Sequence, residues 1–305
     1  MAHGKSIRIY LPESSVTGIR YAEIVNRTGQ AIACPRTRVG GLDDWPETRK
    51  PGVYFLFEAR LGDAKPAVYI GESENVSDRV LTHDRNKDFW SEVVIFTSKD
   101  ENLTKSHVKY LESNLERLAR FADRYELENG NTPTQSSLPR SERDAMDEMT
   151  DDIRLVLGTL GYPVLEPLVQ RSGAVRDGGA SADTGLSRNS SIVDLVFKVH
   201  SLVAYGVPTD EGFVLKKGSM VAKVDSDSAA RKIVKLKEQL VNDQRLVDKG
   251  DHYMLTEDLL MSSPSYAAVL VAGTARSGPQ SWFDAAGKSL KAIEDEAAGR
   301  ACTVS

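Results

Sequence analysis

The chain has 305 residues, of which 40% are hydrophobic and 27% are charged, and its formal net charge is -5. This balance is typical of a globular protein with two or three compact units, and it excludes a disordered or fibrous chain. Only two cysteines occur and no apolar stretch is long enough to cross a bilayer, so we expect a cytoplasmic protein without a disulfide framework or a membrane partner.

The first part of the chain, residues 1–50, is predicted to be a β-rich extension. Residues 6–11 alternate between apolar and polar side chains, residues 31–34 are apolar, and residues 26–29 have the character of a turn. Residues 36–51 contain several glycines and prolines and are typical of a connector.

Residues 51–132 are predicted to form a small unit with the order strand, strand, helix, strand, helix. The strands are predicted at 53–57, 68–71 and 93–96, with a turn at 61–63. The helices are predicted at 76–85 and 103–125, because apolar residues of the second recur at helical spacing. This order predicts a three-stranded, mainly antiparallel sheet flanked by helices.

The rest of the chain is predicted to contain a helical extension, a linker and a second domain. Residues 133–170 include a helix at 141–160, and we interpret its acidic residues as a solvated face: Asp144, Asp147, Glu148, Asp151 and Asp152. Residues 171–191 are rich in Gly, Ser, Ala and Asp and are typical of a flexible linker. Residues 192–300 predict a C-terminal α+β domain, with strands at 193–199 and 212–220 and helices at 227–247, after 262–265 and at 287–298.

Two tyrosines stand on neighbouring predicted strands. Gly52-Val53-Tyr54 opens the first strand, and Tyr69-Ile70-Gly71 closes the second. If the strands form a hairpin centred between Leu61 and Gly62, Tyr54 and Tyr69 are opposite each other on one face. Packing alone is an alternative explanation for a tyrosine in a strand.

Three further side chains have a type and spacing that can serve phosphate chemistry. Arg79 and His83 are four residues apart on one helix, so an anion-binding fork and a proton acceptor share a face. Glu112 lies within the apolar stripe of the long helix, whereas Glu116 is predicted nearer its solvated flank. A carboxylate in an apolar stripe requires a partner, either a structural cation or a metal.

The ordered set of motifs resembles the GIY-YIG nuclease family. Gly-Val-Tyr, Tyr-Ile-Gly, Arg and His four apart, and Glu112 within Tyr-Leu-Glu-Ser-Asn-Leu follow one another at compatible spacing over residues 50–131. Further stretches resemble a bacterial, uncharacterised subgroup of that family: residues 18–20, 88–90 and 125–131. Segments at 218–219, 263–268 and 282–290 resemble an accessory domain found near restriction and modification enzymes, which implies DNA reading.

The resemblance implies a hydrolase that cuts phosphodiester bonds in DNA with one divalent metal, Mg²⁺ or Mn²⁺, held by Glu112. Arg79 would hold the scissile phosphate, Tyr69 or His83 would activate water, and Tyr54 would position water or phosphate. A free tyrosine has a pKa of roughly 10, so a tyrosine base requires nearby positive charge. Further nucleic-acid contacts are expected, and Asn129 or Asn131 is expected to fill the polar position after the glutamate; the predicted contact residues are Gly71, Arg85 and Asn129.

One position departs from the pattern. Several family members carry a lysine directly after Tyr-Ile-Gly, and here that residue is Glu72. The net acidity also favours alternatives to an active nuclease, although residues 212–249 hold nine Lys or Arg against five Asp or Glu. A DNA-binding or DNA-sensing protein without catalysis and a protein-interaction module of a defence system therefore remain as alternative hypotheses.

Overall fold

The computed structural model describes residues 4–59, 65–130, 136–169, 194–226 and 228–301, without the side chains of 297–301. Two compact units divide the chain, an N-terminal unit at Ala2–Pro167 and a C-terminal unit at Leu168–Ser305, to which Met1 is also assigned. The predicted linker at 171–191, the predicted turn at 61–63 and Asn131 lie outside the described residues. Within the described part, every helix is too short or too polar to cross a membrane.

A single mixed sheet forms the centre of the N-terminal unit. Its strands are β1 (Ile7–Tyr10), β2 (Arg20–Ile24), β3 (Gly29–Pro35), β4 (Gly52–Phe57), β5 (Ala67–Ser73), β6 (Glu92–Ser98) and β7 (Glu126–Leu127). They lie in the order β1-β2-β3-β6-β4-β5-β7, and all neighbours are antiparallel except β5 and β7. With the helices described below, this arrangement confirms the α+β class.

The three strands predicted for the central module are present, but they lie within a sheet of seven strands. The join is made by β3, which pairs along its whole length with β6 from Gly29↔Ser98 to Pro35↔Glu92. The N-terminal β-rich segment is therefore continuous with the module. Sequence alternation identified these strands, but it carries no information about which distant strand each one pairs with.

The predicted hairpin of β4 and β5 is confirmed, but its predicted register is wrong by two residues. Tyr54 lies opposite Gly71, and Tyr69 lies opposite Leu56. Because side chains alternate with a period of two, this shift leaves both tyrosines on the same face. Gly71 explains the register, since a Cβ at this position would collide with the phenol of Tyr54.

Three helices pack against the sheet. They are α1 (Val76–Asn86), α2 (Lys105–Ala122) and α3 (Arg140–Thr159), close to their predicted positions. Helix α2 begins with a capping box between Thr104 and His107, which satisfies its first free N–H groups. Its predicted apolar stripe is confirmed and packs into the core. The predicted connector forms two 3₁₀ turns, at Arg36–Asp44 and Pro46–Arg49.

Two acidic side chains that we predicted as solvated are buried. Glu116 is 2% exposed, because the chain after α2 folds back over this flank of the helix and brings Asn129 against the carboxylate. Asp152 is 9% exposed and lies 2.5 Å from the ammonium of Lys5. Both groups are buried by segments distant in sequence, which helical periodicity cannot reveal.

The C-terminal unit contains two small antiparallel sheets. Its strands are β8 (Leu195–Val199), β9 (Leu202–Thr209), β10 (Gly212–Leu215), β11 (Met220–Ala222), β12 (Leu246–Asp248), β13 (His252–Leu255) and β14 (Leu259–Met261). They form the orders β14-β10-β9-β8 and β11-β13-β12. The helices are α4 (Arg231–Asn242), α5 (Pro264–Ala272), α6 (Gly278–Ser281) and α7 (Leu290–Ala301).

Two predictions for this unit are wrong in extent. The strand expected at 212–220 is broken into β10 and β11 by a turn, where Gly218 has a φ of 83° that favours glycine. The helix expected at 227–247 ends at Asn242, and the chain reverses at Gln244 with a φ of 58° before it enters β12. The unit nevertheless encloses one apolar core centred on Trp282 and Phe213.

Candidate functional site

The two faces of β5 carry different side chains. Tyr69 belongs to the cluster that contains Tyr54 on one face of the sheet, whereas Ile70 belongs to the core under α2 on the other. By strand alternation, Gly71 shares the face of Tyr69, and Glu72 shares the face of Ile70. The motif Tyr-Ile-Gly-Glu is therefore divided between the two sides of the sheet.

The phenol of Tyr54 links α1 to the sheet. It lies 2.8 Å from Nε2 of His83, and the positive charge of Arg79 acts on it. Tyr54 is fully buried and His83 is 6% exposed. The spacing of Arg79 and His83, one helical turn apart, lets both reach the same hydroxyl.

Burial keeps this pair of groups neutral. Desolvation raises the pKa of Tyr54 above its ordinary value, and the charges of Tyr69 and Glu112 add to the rise. Desolvation also lowers the pKa of His83 to about 4, with further lowering by the positive charges of Arg79 and Lys87. A neutral imidazole that carries its hydrogen on Nδ1 accepts at Nε2, and in that tautomer the Tyr54 hydroxyl donates to His83.

Tyr69 and Arg79 form the accessible part of the site. The ring of Tyr69 is half-buried, 6.2 Å from the ring of Tyr54 and 5.2 Å from that of His83. Arg79 is exposed, and it interacts electrostatically with the side chains of both tyrosines. The four residues predicted from the tyrosine and Arg–His motifs are therefore together, with two buried beneath two that solvent can reach.

Glu112 lies at the open edge of β5. Its carboxylate is half-buried, and the backbone of Glu72 is one of the groups that acts on it. Desolvation first, and then the negative charges of Glu72 and Glu116, raise the pKa of Glu112 to about 7. The negative charge of Glu112 also contributes to the raised pKa of Tyr54. Glu112 is therefore close enough to the other site residues to interact with them electrostatically.

These surroundings of Glu112 fit a divalent cation. A cation would offset both the desolvation of the carboxylate and its repulsion by two neighbouring carboxylates. Among the described residues, no cluster of three or more His, Cys, Asp or Glu side chains is placed to bind a metal. A metal at Glu112 would therefore depend on water and phosphate oxygens for most of its ligands, as Mg²⁺ commonly does.

Asn129 closes the same edge next to Glu112. Its amide oxygen accepts from the N–H of Ile70 at 3.0 Å, and its amide nitrogen donates to the carbonyl of Ile70 at 2.7 Å and to Glu116 at 2.7 Å. Both ends of the amide thus hold β5 in place. The predicted contact between Asn129 and nucleic acid stays a prediction, as do those of Gly71, which lies buried under Tyr54, and Arg85, which is exposed on α1.

Two lysines near the site were not found from the sequence. Lys105 Nζ, in the first turn of α2, lies 3.2 Å from Glu72 Oε2 and 3.6 Å from Glu74 Oε2. Lys87 Nζ lies 4.3 Å from the centre of the Tyr69 ring. Neither lysine belongs to a motif, and only the packing of α1 and α2 against the sheet brings them to the site.

Comparison with known proteins gives one match. A family model described as a domain of unknown function (DUF4357) matches residues 195–294. No curated protein and no solved structure matches the chain. The matched region begins at β8 and ends within α7, so it covers most of the C-terminal unit. The side chains around Tyr54 and Glu112 lie outside it.

Proposed function

We propose that residues 52–130 form a metal-dependent phosphodiesterase of the GIY-YIG type that hydrolyses DNA. The observation that supports this proposal most is the grouping of four motif residues around one phenol, with Glu112 electrostatically coupled to them: Tyr54, Tyr69, Arg79, His83 and Glu112. Each motif alone is short, but four separate elements are needed to bring the set together. The cytoplasmic location that we propose agrees with the buried free thiol of Cys34.

Arg79 is the residue that we assign to the scissile phosphate. Its guanidinium is exposed, and it is close enough to both tyrosines to interact with them electrostatically. A planar guanidinium can bind two phosphate oxygens and stabilise the charge that develops on them in the transition state. The buried Tyr54 and His83 are assigned to orienting Arg79 and packing beneath Tyr69 instead of touching the substrate.

Tyr69 is the residue that we assign to the attacking water. It is more accessible than His83, whose imidazole already accepts from Tyr54 in a buried position. In the ionised form, the Tyr69 oxygen takes a proton from water, and the resulting hydroxide forms the new P–O bond. The bond to the leaving sugar oxygen breaks with its electron pair, and that oxygen takes a proton from solvent.

Glu112 is the residue that would hold a divalent cation, Mg²⁺ or Mn²⁺. When bound, the cation would neutralise developing negative charge on the phosphate. Glu112 must be ionised to bind it, and since its pKa without metal is raised to about 7, protons should compete with the cation and weaken its binding as the pH decreases below 7. The C-terminal unit is assigned no chemistry, and we propose that it contributes to recognition of DNA.

Cleavage assays test the function directly. Supercoiled plasmid and single-stranded DNA would be incubated with wild type and with Glu112→Gln, in Mg²⁺, in Mn²⁺ and in chelator. We expect metal-dependent cutting by wild type and a loss of about 10³-fold or more in the variant, because the carboxylate is its metal ligand. Glu101→Gln removes the same charge from an exposed turn before α2 and should cut like wild type.

Two outcomes would reject the nuclease. Equal cutting by wild type and Glu112→Gln would indicate a contaminating enzyme or another active site. The absence of cutting with both metals on both substrates would leave the DNA-binding hypothesis, which predicts salt-dependent binding without cleavage.

A further inference from the structure

Helix α4 has a buried face and an exposed face. Ile233 and Leu240 pack into the core of the C-terminal unit, and the buried ammonium of Lys237 donates to the carbonyl of Ala222 at 2.9 Å. These contacts fix the orientation of the helix within its unit. Its opposite face is therefore presented to solvent in one defined direction.

The exposed face carries three cations that the stability of the helix does not explain. Arg231, Lys232 and Lys235 are exposed, and none of them has an ion-pair partner in the part of the chain that the structure describes. Arg231 and Lys232 stand in the first turn, which holds no acidic residue and where the helix dipole disfavours positive charge. These charges are therefore available to a negatively charged partner.

A fourth cation lies beside the start of this face. The hydroxyl of Ser228, three residues before Arg231, is 3.0 Å from that of Thr274 and accepts from the N–H of Ala275 at 3.3 Å. These bonds bring Arg276 next to the segment that leads into α4. Arg276 is exposed, and it too has no ion-pair partner among the described residues.

Two amide side chains continue the exposed face towards the end of the helix. Four exposed residues, at spacings of four, four and three, form one line along α4: Arg231, Lys235, Gln239 and Asn242. Glu238, which flanks this line, is the one carboxylate in the sequence of α4. The face is therefore cationic at its start and carries neutral hydrogen-bonding groups at its end.

Duplex DNA has the charge and the shape that this face requires. Its phosphates bind Lys and Arg, and its major groove is about 12 Å wide and admits an α-helix. Within that groove, the amide of Gln or Asn can form two hydrogen bonds with the edge of an adenine. The major groove of an A-form RNA duplex is too narrow to be read in this way.

We propose that the outer face of α4 binds in the major groove of duplex DNA. Its cations and Arg276 contact phosphates, which position the helix, and Gln239 and Asn242 face the base edges, which carry the sequence information. This inference rests on the proposal above that the C-terminal unit contributes to recognition of DNA. It names the surface and the groove, and it does not require cleavage.

Binding measurements in chelator test this surface. The full chain with Glu112→Gln, as the parent, would be titrated against a fluorescent DNA duplex at about 50 to 200 mM salt. Adding Arg231→Gln and Lys235→Gln should raise Kd by about tenfold and lower the slope of log affinity against log salt by about 2, because two phosphate contacts are lost. Thermal unfolding of this α4 variant should coincide with that of the parent, since both side chains are exposed.

A matched double variant controls for net charge. Lys198→Gln with Lys291→Gln removes the same charge from exposed positions on β8 and α7, and Kd should stay within about twofold of the parent. An equal loss of affinity in the two double variants would overturn the proposal, because binding would then follow net charge and not this face. An unchanged Kd in the α4 variant, or a parent that binds no duplex at low salt, would also overturn it.

Two further comparisons test the groove. An RNA duplex of the same sequence should bind at least about tenfold more weakly than the DNA duplex, and equal binding would overturn the proposal. Selection from a pool of randomised DNA duplexes should enrich a short sequence with the parent. Gln239→Ala with Asn242→Ala should reduce this enrichment and leave the salt slope unchanged. If the parent enriches no sequence, or the variant enriches it equally, α4 does not read bases.

The result is separable from that of the nuclease proposal. If wild type cuts no DNA but the α4 variant binds duplex DNA more weakly than the parent, the nuclease proposal fails and the DNA-binding face stands. If wild type cuts DNA and the α4 variant binds like the parent, the nuclease proposal stands and this face has no part in binding.

Discussion

The two units use their buried polar side chains in different ways. In the N-terminal unit, Tyr54 and His83 come from different elements, bond to each other and lie beneath accessible groups. In the C-terminal unit, Ser219 accepts from the N–H of Tyr205 at 3.0 Å and donates to the carbonyl of Lys216 at 2.7 Å. The buried pair Tyr54 and His83 therefore lies next to groups that solvent can reach. The hydroxyl of Ser219, by contrast, bonds to backbone groups, among them the carbonyl of Lys216 in a turn.

The buried Lys237 illustrates the second arrangement further. It is 4% exposed, pairs with Asp225 and donates to the carbonyl of Ala222 at 2.9 Å. These bonds join α4 to the segment after β11. A buried charge with a complete set of local partners is typical of a structural role, whereas the partly accessible group of Tyr69 and Arg79 is typical of a site. The contrast gives Lys237 a structural role and agrees with placing the proposed chemistry in the N-terminal unit.

The largest expected change in stability is a loss in the C-terminal unit alone. Lys237→Met leaves Asp225 and the carbonyl of Ala222 without their partner, so we expect a loss of about 2–4 kcal/mol in the free energy of unfolding of that unit. Lys235→Met lies on the exposed face of the same helix and should change it by less than about 0.5 kcal/mol. Denaturant titration of both variants measures this. A shift in the N-terminal unit's transition, or equal losses in the two variants, would contradict the comparison.

A smaller effect separates the two tyrosines within the site. Tyr69→Phe should lower kcat by about 10²-fold with little loss of stability, because its phenol is accessible and is assigned to water. Tyr54→Phe should lower kcat by only about tenfold and destabilise the N-terminal unit by about 1–3 kcal/mol, because His83 loses its donor inside the core. Steady-state kinetics and thermal unfolding of both variants decide the matter. The reverse pattern would exchange the assigned roles.

The smallest effect concerns stability and pH. The pKa of Glu112 in the folded protein is about 7, above its ordinary value of 4.5, so ionisation costs stability as the pH rises through this window. Without metal, Glu112→Gln should be about 1–3 kcal/mol more stable than wild type at pH 8 and equal to it at pH 4.5. Mg²⁺ should stabilise wild type at pH 8 and leave the variant unchanged. If the stability difference between Glu112→Gln and wild type does not depend on pH, it does not come from the ionisation of Glu112.

Local patterns in the sequence predicted most of the elements and the group of candidate residues. The apolar spacing of α2, the alternation of β4 and β5, and the Arg–His spacing of α1 each depend on neighbours within one turn or one strand. The positions of β4, β5, α1 and α2 in the structure are close to those predicted. The fit of Tyr54 over Gly71 was missed, since register depends on the shape of the connecting loop and on packing against the ring.

Features that depend on contacts between distant segments could not be predicted. The burial of Glu116 requires Asn129 to fold back across α2, and the ion pair of Glu72 requires Lys105 from the start of that helix. Lys87 reaches Tyr69 only because α1 packs beside β5. A single sequence has no periodic signal for such pairs. The ion pair of Glu72 with Lys105 is a feature of the fold that the motif does not contain.

The side chains that close the edge of β5 have a consequence for self-association. Strand β7 pairs with Ala67 and Val68, and beyond it the amide of Asn129 bonds to both backbone groups of Ile70 while the carboxylate of Glu112 lies close to the backbone of Glu72. An exposed strand edge is a template on which other chains can add strands and aggregate. These two side chains therefore occupy the place that a further strand would take, and they prevent strands of neighbouring molecules from pairing with this edge. A chain that lost both would present free hydrogen-bonding groups at its proposed active site and would be prone to edge-to-edge pairing at high concentration.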